Sequence, residues 1–269
     1  MRSIVHLSDI HFGRVNAVVI PSLIETITRI NPDLVAVSGD LTQRARASQF
    51  AEARAFLDRL PKPQIVVPGN HDVPLHNVLA RFAQPLSKYR RYITEDLRPF
   101  YHDKEIAVLG VNTARSLTFK GGRINKAQLE WMGERLAASS PEAVKVIVTH
   151  HPFDLPEGHD ERHLVGRARL AMETLARNGA DLFLAGHLHV SHTTHSATRY
   201  KIKGHSALVV QAGTAASARG RGEENSFNVV RIDRPNIAVE RFEWQPEGGE
   251  FGLKMVERFR HTEDGWTRT

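Results

Sequence analysis

Short apolar runs punctuate the first two-thirds of the chain, at residues 4–7, 34–38, 65–67, 106–111, 144–149 and 182–185. Each is rich in Val, Ile and Leu and too short for a helix, so each reads as a buried strand. Between them lie stretches with helical spacing. Residues 18–30 carry apolar side chains at three- and four-residue intervals and close at Asn31-Pro32. Residues 48–60 place Phe50, Ala53, Leu57 and Leu60 on one side, with Phe56 at its edge, and stop before Pro61. Residues 125–138 and 164–178 also read as helices, the second with Gly179 as its C-cap. Strands alternating with helices predict an α/β fold with a largely parallel sheet.

After His189 the pattern changes. Residues 194–202, 207–211, 227–232, 237–244 and 252–260 are strand-like, with turn signals at Pro235-Asn236 and Glu247-Gly248-Gly249. These predict a second sheet built from residues 190–260. With no internal repeat and no low-complexity linker, the expectation is a single domain over 1–269. Residues 218–225 read as an exposed loop.

Composition narrows the picture in three ways. No apolar run is long enough to span a bilayer, and the chain enters a strand at residue 4, which leaves no room for a leader. Cysteine is absent, so disulfides and thiolate metal sites are excluded. The expectation is a soluble, cytoplasmic protein. A net charge of +6 permits an anionic partner without demanding one, because the basic residues are dispersed. Fifteen histidines are many for 269 residues, and they matter where a metal can use them.

Five segments concentrate such residues: Asp9-Ile10-His11, Gly39-Asp40, Gly69-Asn70-His71-Asp72, His150-His151-Pro152 and Gly186-His187-Leu188-His189. Each follows a predicted strand, where loops of an α/β sheet converge on ligand sites. Carboxylate, amide and imidazole donors suit manganese, iron, zinc or cobalt. In an extended segment Asp9 and His11, or His187 and His189, would point the same way. Glycine before Asp40, Asn70 and His187 permits close backbone approach.

The ordered set DxH…GD…GNHD…H…GHxH resembles the signature of the calcineurin-like metallophosphoesterases, from Asp9 to His189. The resemblance implies a four-layer αββα sandwich, mixed central sheets flanked by helices. It implies two divalent or trivalent metal ions: one held by Asp9, His11, Asp40 and His189, the other by Asp40, Asn70, His150 and His187. His150 is preferred to His151 because it stands two before Pro152. The resemblance makes His71 the catalytic residue facing the phosphate and the leaving group, with Asn70 at the substrate too. His151 then borders the substrate or orients His150. A hydroxide shared by the two metals would attack phosphorus in line, the metals and His71 offsetting the developing charge.

The motifs GDLTQRA and GNHD depart from the protein Ser/Thr phosphatases, and no metal-binding tyrosine follows Asp40 as in purple acid phosphatases. Ser8-Asp9-Ile10-His11, GDLTQ and GNHD are most similar to bacterial class III cyclic-nucleotide phosphodiesterases and glycerophosphodiesterases. This implies a small phosphodiester substrate, 3′,5′-cyclic nucleotides first. A DNA or RNA nuclease and a non-catalytic metal-site scaffold stay open as alternatives, as does a dimer. Arg14, Arg219 and Arg221 are candidate anion contacts. The Lys88–Tyr92 cluster reads as a solvated amphipathic helix. His76, His102, His159, His163, His192, His195 and His205 read as surface histidines.

Overall fold

The computed structural model describes residues 1–75, 77–118, 120–218 and 222–269. His76, Arg219 and Arg221 therefore lie outside the described residues. In chain order the elements are β1 (Arg2–Leu7), α1 (Val19–Ile30), β2 (Leu34–Val37), α2 (Ala47–Asp58), β3 (Gln64–Val66), α3 (Val78–Ala83), α4 (Ser87–Tyr92) and β4 (Phe100–His102). Then come β5 (Ile106–Val111), α5 (Lys126–Ala138), β6 (Val144–Thr149), α6 (Ala168–Arg177), β7 (Leu182–Ala185), β8 (His192–His195) and α7 (Ser196–Tyr200). The chain closes with β9 (Leu208–Gln211), β10 (Ser226–Asp233), β11 (Asn236–Gln245), β12 (Glu250–Thr262) and β13 (Gly265–Arg268).

Local chemistry sets the helix ends. Asn31 at φ 48° caps α1, its N–H reaching the carbonyls of Ile27 and Thr28. Asn125 opens α5 with a reciprocal box: its side chain accepts from Gln128 N–H, and the Gln128 side chain accepts from Asn125 N–H. The helix expected from residue 164 starts at Ala168 instead, because Arg167 is left-handed at φ 68°.

The strands form two mixed sheets. One has the order β13-β12-β11-β10-β1-β2-β3 and the other β4-β5-β6-β7-β9-β8. The strands after His189 do not make a sheet of their own, as the sequence pattern suggested. The antiparallel run β10–β13 extends the sheet that β1 begins, whereas β8 and β9 complete the other. The expected strand over 194–202 turns into α7 after His195.

Side-chain alternation makes the layers. From β1 and β2, Ile4, Leu34 and Ala36 face Val108, Val146 and Leu184 of the second sheet. Their neighbours Val5, Leu7, Val35 and Val37 pack outward on Leu23, Ile27, Phe50 and Leu57 of α1 and α2. On the far side Leu109, Ile147 and Phe183 pack on Leu129, Met132, Met172 and Leu175 of α5 and α6. The result is helices, sheet, sheet, helices. No helix among the described residues is long and apolar enough to cross a membrane.

Candidate metal centre

The two sheets bring the carboxyl ends of β1, β2 and β3 against those of β6 and β7, so the five motif segments meet at one edge. Beyond the sheet the loops keep company. The N–H groups of Asp9, His11 and Phe12 donate to the carbonyls of Gly39, Asp40 and Leu41 at 3.1, 3.0 and 2.8 Å. The segments Asp9–His11 and His187–His189 are not extended, contrary to the expectation from spacing. Asp9, His11, Asp40, His187 and His189 all have positive φ, from 52° to 76°. The left-handed region costs a non-glycine residue about 1–3 kcal/mol, and Asp and His tolerate it better than most. Strain concentrated on the motif residues turns their side chains inward.

Two donor clusters result. In the first, Asp9 Oδ1 lies 3.1 Å from His189 Nε2 and 3.6 Å from His11 Nε2. His11 Nε2 is 3.1 Å from His189 Nε2 and 3.8 Å from Asp40 Oδ2. In the second, Asn70 Oδ1 lies 3.1 Å from both His150 Nε2 and His187 Nδ1. Asp40 Oδ2 joins the clusters, 3.4 Å from His150 Nε2 and 3.8 Å from His11 Nε2.

The opposite atom of several of these side chains is tied to the protein. His150 Nδ1–H donates to Ser38 O at 2.8 Å, leaving Nε2 inward. Asp9 Oδ2 accepts from Ser8 Oγ at 2.5 Å and His187 N–H at 2.9 Å, while its buried Oδ1, facing the His189 and His11 nitrogens, has no hydrogen-bond partner among the described residues. Asp40 Oδ1 accepts the backbone N–H of His71 at 2.8 Å. An orphaned carboxylate oxygen and imidazole nitrogens facing one another are poor protein–protein contacts and good metal ligands. The residues present thus fit two cations: Asp9, His11, Asp40 and His189 form one group of facing donor atoms and His150, His151 and His187 another, and such clusters suit a dinuclear metal site.

The electrostatics agree. Burial favours the neutral acid at Asp40, yet the charges of His150, His71 and His11 and a hydrogen bond from His150 hold its carboxyl well below the usual range. Burial lowers His150, but the charge of Asp40 and the hydrogen bond to it outweigh that and raise it to about 9. The pocket therefore draws positive charge to its centre. His187 goes the other way, to about 3, through burial and then repulsion from His150.

The profile of the calcineurin-like phosphoesterases matches residues 2–191. The chain belongs to that family. It is accordingly a phosphoester hydrolase. This phosphoesterase is 24% identical over 217 residues to a probable cyclic nucleotide phosphodiesterase of Moraxella catarrhalis, covering 75% of this chain and 76% of that one. It is 24% identical over 161 residues to a glycerophosphodiester phosphodiesterase of Enterobacter lignolyticus, covering 56% and 57%. A dimetal phosphatase from Danio rerio has the same fold, with a TM-score of 0.69 and 13% identity over 97% of this chain and 99% of that one.

The cleft of this phosphoesterase opens beside His71. Its Nδ1–H donates to Gln43 O at 2.9 Å, which leaves Nε2 for the cleft. A cavity of about 230 Å³ there is lined by Asn70, His71, Gln43, Arg44 and Lys120. His151 is different. It is fully buried, with Nδ1 accepting from Thr113 Oγ1 at 2.8 Å and Nε2–H donating to Lys120 O at 3.0 Å. A ligand atom of His151 lies within 4.8 Å of those of His150 and His187, and its ring lies 4.9 Å from that of His150, but both its nitrogens already hold hydrogen bonds within the protein. Burial, then the charges of His187 and His150, keep it neutral.

Several supporting residues carry roles that the motif reading did not assign, among them Asp72 of the GNHD segment. The Asp72 carboxylate accepts the N–H groups of Leu41, Thr42 and Gly69 and the Thr42 hydroxyl, all within 3.1 Å, which clips the Asp40 loop to the Asn70 loop. His163 is half-buried rather than a plain surface histidine, and its Nδ1 lies 3.0 Å from His187 Nε2. His6 is buried between the sheets with Nε2 against Ser38 Oγ at 2.9 Å. His159, His192, His195 and His205 are half-buried too, and His102 is exposed. Arg14 is exposed beside the first loop. The Lys88–Tyr92 stretch is the amphipathic α4, its buried Tyr89 hydroxyl donating to Val66 O at 2.9 Å.

Proposed function

We propose that this phosphoesterase hydrolyses small phosphodiesters with two bound cations, one held by Asp9, His11, Asp40 and His189 and the other by Asp40, Asn70, His150 and His187. The observation that carries the reading is the position of Asp40 Oδ2 between His11 and His150, where one oxygen serves both clusters. When bound, the cations supply Lewis acidity toward the phosphoryl oxygens and a nucleophile at neutral pH. Manganese, iron, zinc and cobalt all accept this donor set.

The chain's own residues do the remaining work. Asn70 sits at the cleft wall with its carbonyl oxygen toward His150 and His187, which directs its amide hydrogens to the substrate side. His71, fixed through Gln43 O and Asp40 Oδ1, presents Nε2 to the phosphoryl group. A protonated Nε2 donates to a phosphoryl oxygen and passes its proton to the departing alkoxide. Buried walls around Asp9, Asp40 and His150 keep water from competing for those groups. A diester substrate is supported by relatives named for cyclic-nucleotide and glycerophosphodiester hydrolysis.

Manganese-loaded protein tests this against bis-p-nitrophenyl phosphate, p-nitrophenyl phosphate and cyclic AMP, with Asn70→Ala and His71→Ala as controls. Diester turnover above monoester turnover, lost in both variants, is the expected result. Full metal binding with all three substrates intact would remove the reading and bring the scaffold or nuclease alternatives forward.

A further inference from the structure

The cavity beside His71 carries more positive charge than a phosphodiester alone calls for. Arg44 and Lys120 line it together with Gln43, Asn70, His71, Val73 and Leu75, and among the described residues no carboxylate does. Neither side chain forms an ion pair with an acid among the described residues, and both are exposed. Their backbones are nevertheless fixed to the site. Gln43 O, next to Arg44, accepts from His71 Nδ1, and Arg44 N–H donates to Gln49 Oε1 at 2.9 Å. Lys120 O accepts from His151 Nε2 at 3.0 Å. Two cationic residues anchored beside His71 thus line the cavity next to it.

In the reading above, that space receives the departing oxygen, while the metal clusters and Asn70 attend to the phosphoryl group. We propose that the leaving-group half of the substrate carries an anionic group of its own, a carboxylate or a phosphate, received by Arg44 and Lys120. This rests on the phosphodiesterase reading and deepens it. A cavity of about 230 Å³, which Val73 and Leu75 also line, has room for a small leaving group with an acidic substituent. A 3′,5′-cyclic nucleotide has its one negative charge on the scissile phosphate and gives these cations nothing further. A linear diester with an acidic alcohol gives them a partner.

The test compares bis(4-carboxyphenyl) phosphate with bis(4-carbamoylphenyl) phosphate on the manganese-loaded full chain. Both esters are symmetric, so whichever half departs carries the group in question. The acid ester is expected to show a KM roughly tenfold lower, the scale of one charge-assisted hydrogen bond at an exposed position. The preference should shrink with added salt. It should fall toward one in Arg44→Met/Lys120→Met and persist in Arg44→Lys. These side chains are exposed, so the substitutions leave the core intact. Equal KM values in the wild type, or a preference unchanged in the double variant, would overturn the inference and leave the phosphodiesterase reading standing. Equal losses on both esters would overturn it as well, by assigning the two cations to the phosphate itself. Hydrolysis of neither ester by the wild type would take down the reading on which the inference rests.

Discussion

Gly69→Ala isolates the close approach on which Asp40 depends. Gly69 has φ −102°, which any residue adopts, so the added methyl acts through space alone. A Cβ there would stand 2.1 Å from Asp40 Oδ1, 2.4 Å from Asp40 N and 2.8 Å from Asp40 Cγ. Ordinary contact needs roughly 1 Å more, several times the about 0.2 Å tolerance of a metal–ligand bond. The carboxylate cannot simply rotate away. Oδ1 holds the His71 N–H at 2.8 Å, and such a charge-assisted bond contributes about 1.5–3 kcal/mol. Since Asp40 N is also too close, the loops after β2 and β3 must part. Overpacking of this kind costs about 1–3 kcal/mol, so the sum is about 2.5–6 kcal/mol, shared between stability and metal affinity. Calorimetric titration with manganese and thermal melting with and without chelator measure the two shares. A melting temperature and both metal affinities equal to those of the wild type would refute the argument.

Other perturbations probe the supports. Asp72→Asn keeps the size of the side chain but turns an amide hydrogen toward N–H donors it now accepts; metal binding should weaken about 10–100-fold, as for other outer ligand supports, and unchanged affinity by calorimetry would dismiss the clip. His163→Ala should lower occupancy of the site that uses His187, with partial recovery in His163→Gln, read by metal analysis after gel filtration; full stoichiometry in the alanine variant would exclude a positioning role. His6 is pushed to about 3 by burial, below its usual 6.5, so the unfolded chain binds this proton more readily than the folded one. The stabilisation is complete above pH 6.5 and is lost as pH falls toward 3, by up to about 5 kcal/mol. Urea melts of His6→Gln should show a shallower decline over that window, and an identical profile would reject the assignment.

Much of the fold and of the donor set is legible in the sequence. Runs such as residues 106–111 and 144–149 are apolar at most positions, Lys145 and Thr149 excepted, because both faces of those strands are largely covered, and that pattern survives in any arrangement of the sheets. Asn31, Asn125 and Gly179 mark helix ends because capping is local chemistry. The candidate donors Asp9, His11, Asp40, Asn70, His150, His187 and His189 stand out equally, since each follows a strand and only a few residue types bind hard or borderline metals.

What only the tertiary structure decided are relations between distant segments. Sheet membership is one: β10 pairs with β1 across more than 200 residues of sequence, and its own alternation is the same in either sheet. Side-chain direction in the motif loops is another. Asp9, His11, Asp40, His187 and His189 have left-handed φ, which dipeptide spacing does not reveal. His151 and His163 show the same limit. Next to His150, His151 reads as bordering the substrate or orienting its neighbour, yet Thr113 and Lys120 occupy both its nitrogens. His163 looks like surface, yet it reaches His187. A histidine's role depends on what its two nitrogens meet, and those partners come from other loops that only packing brings within hydrogen-bonding reach.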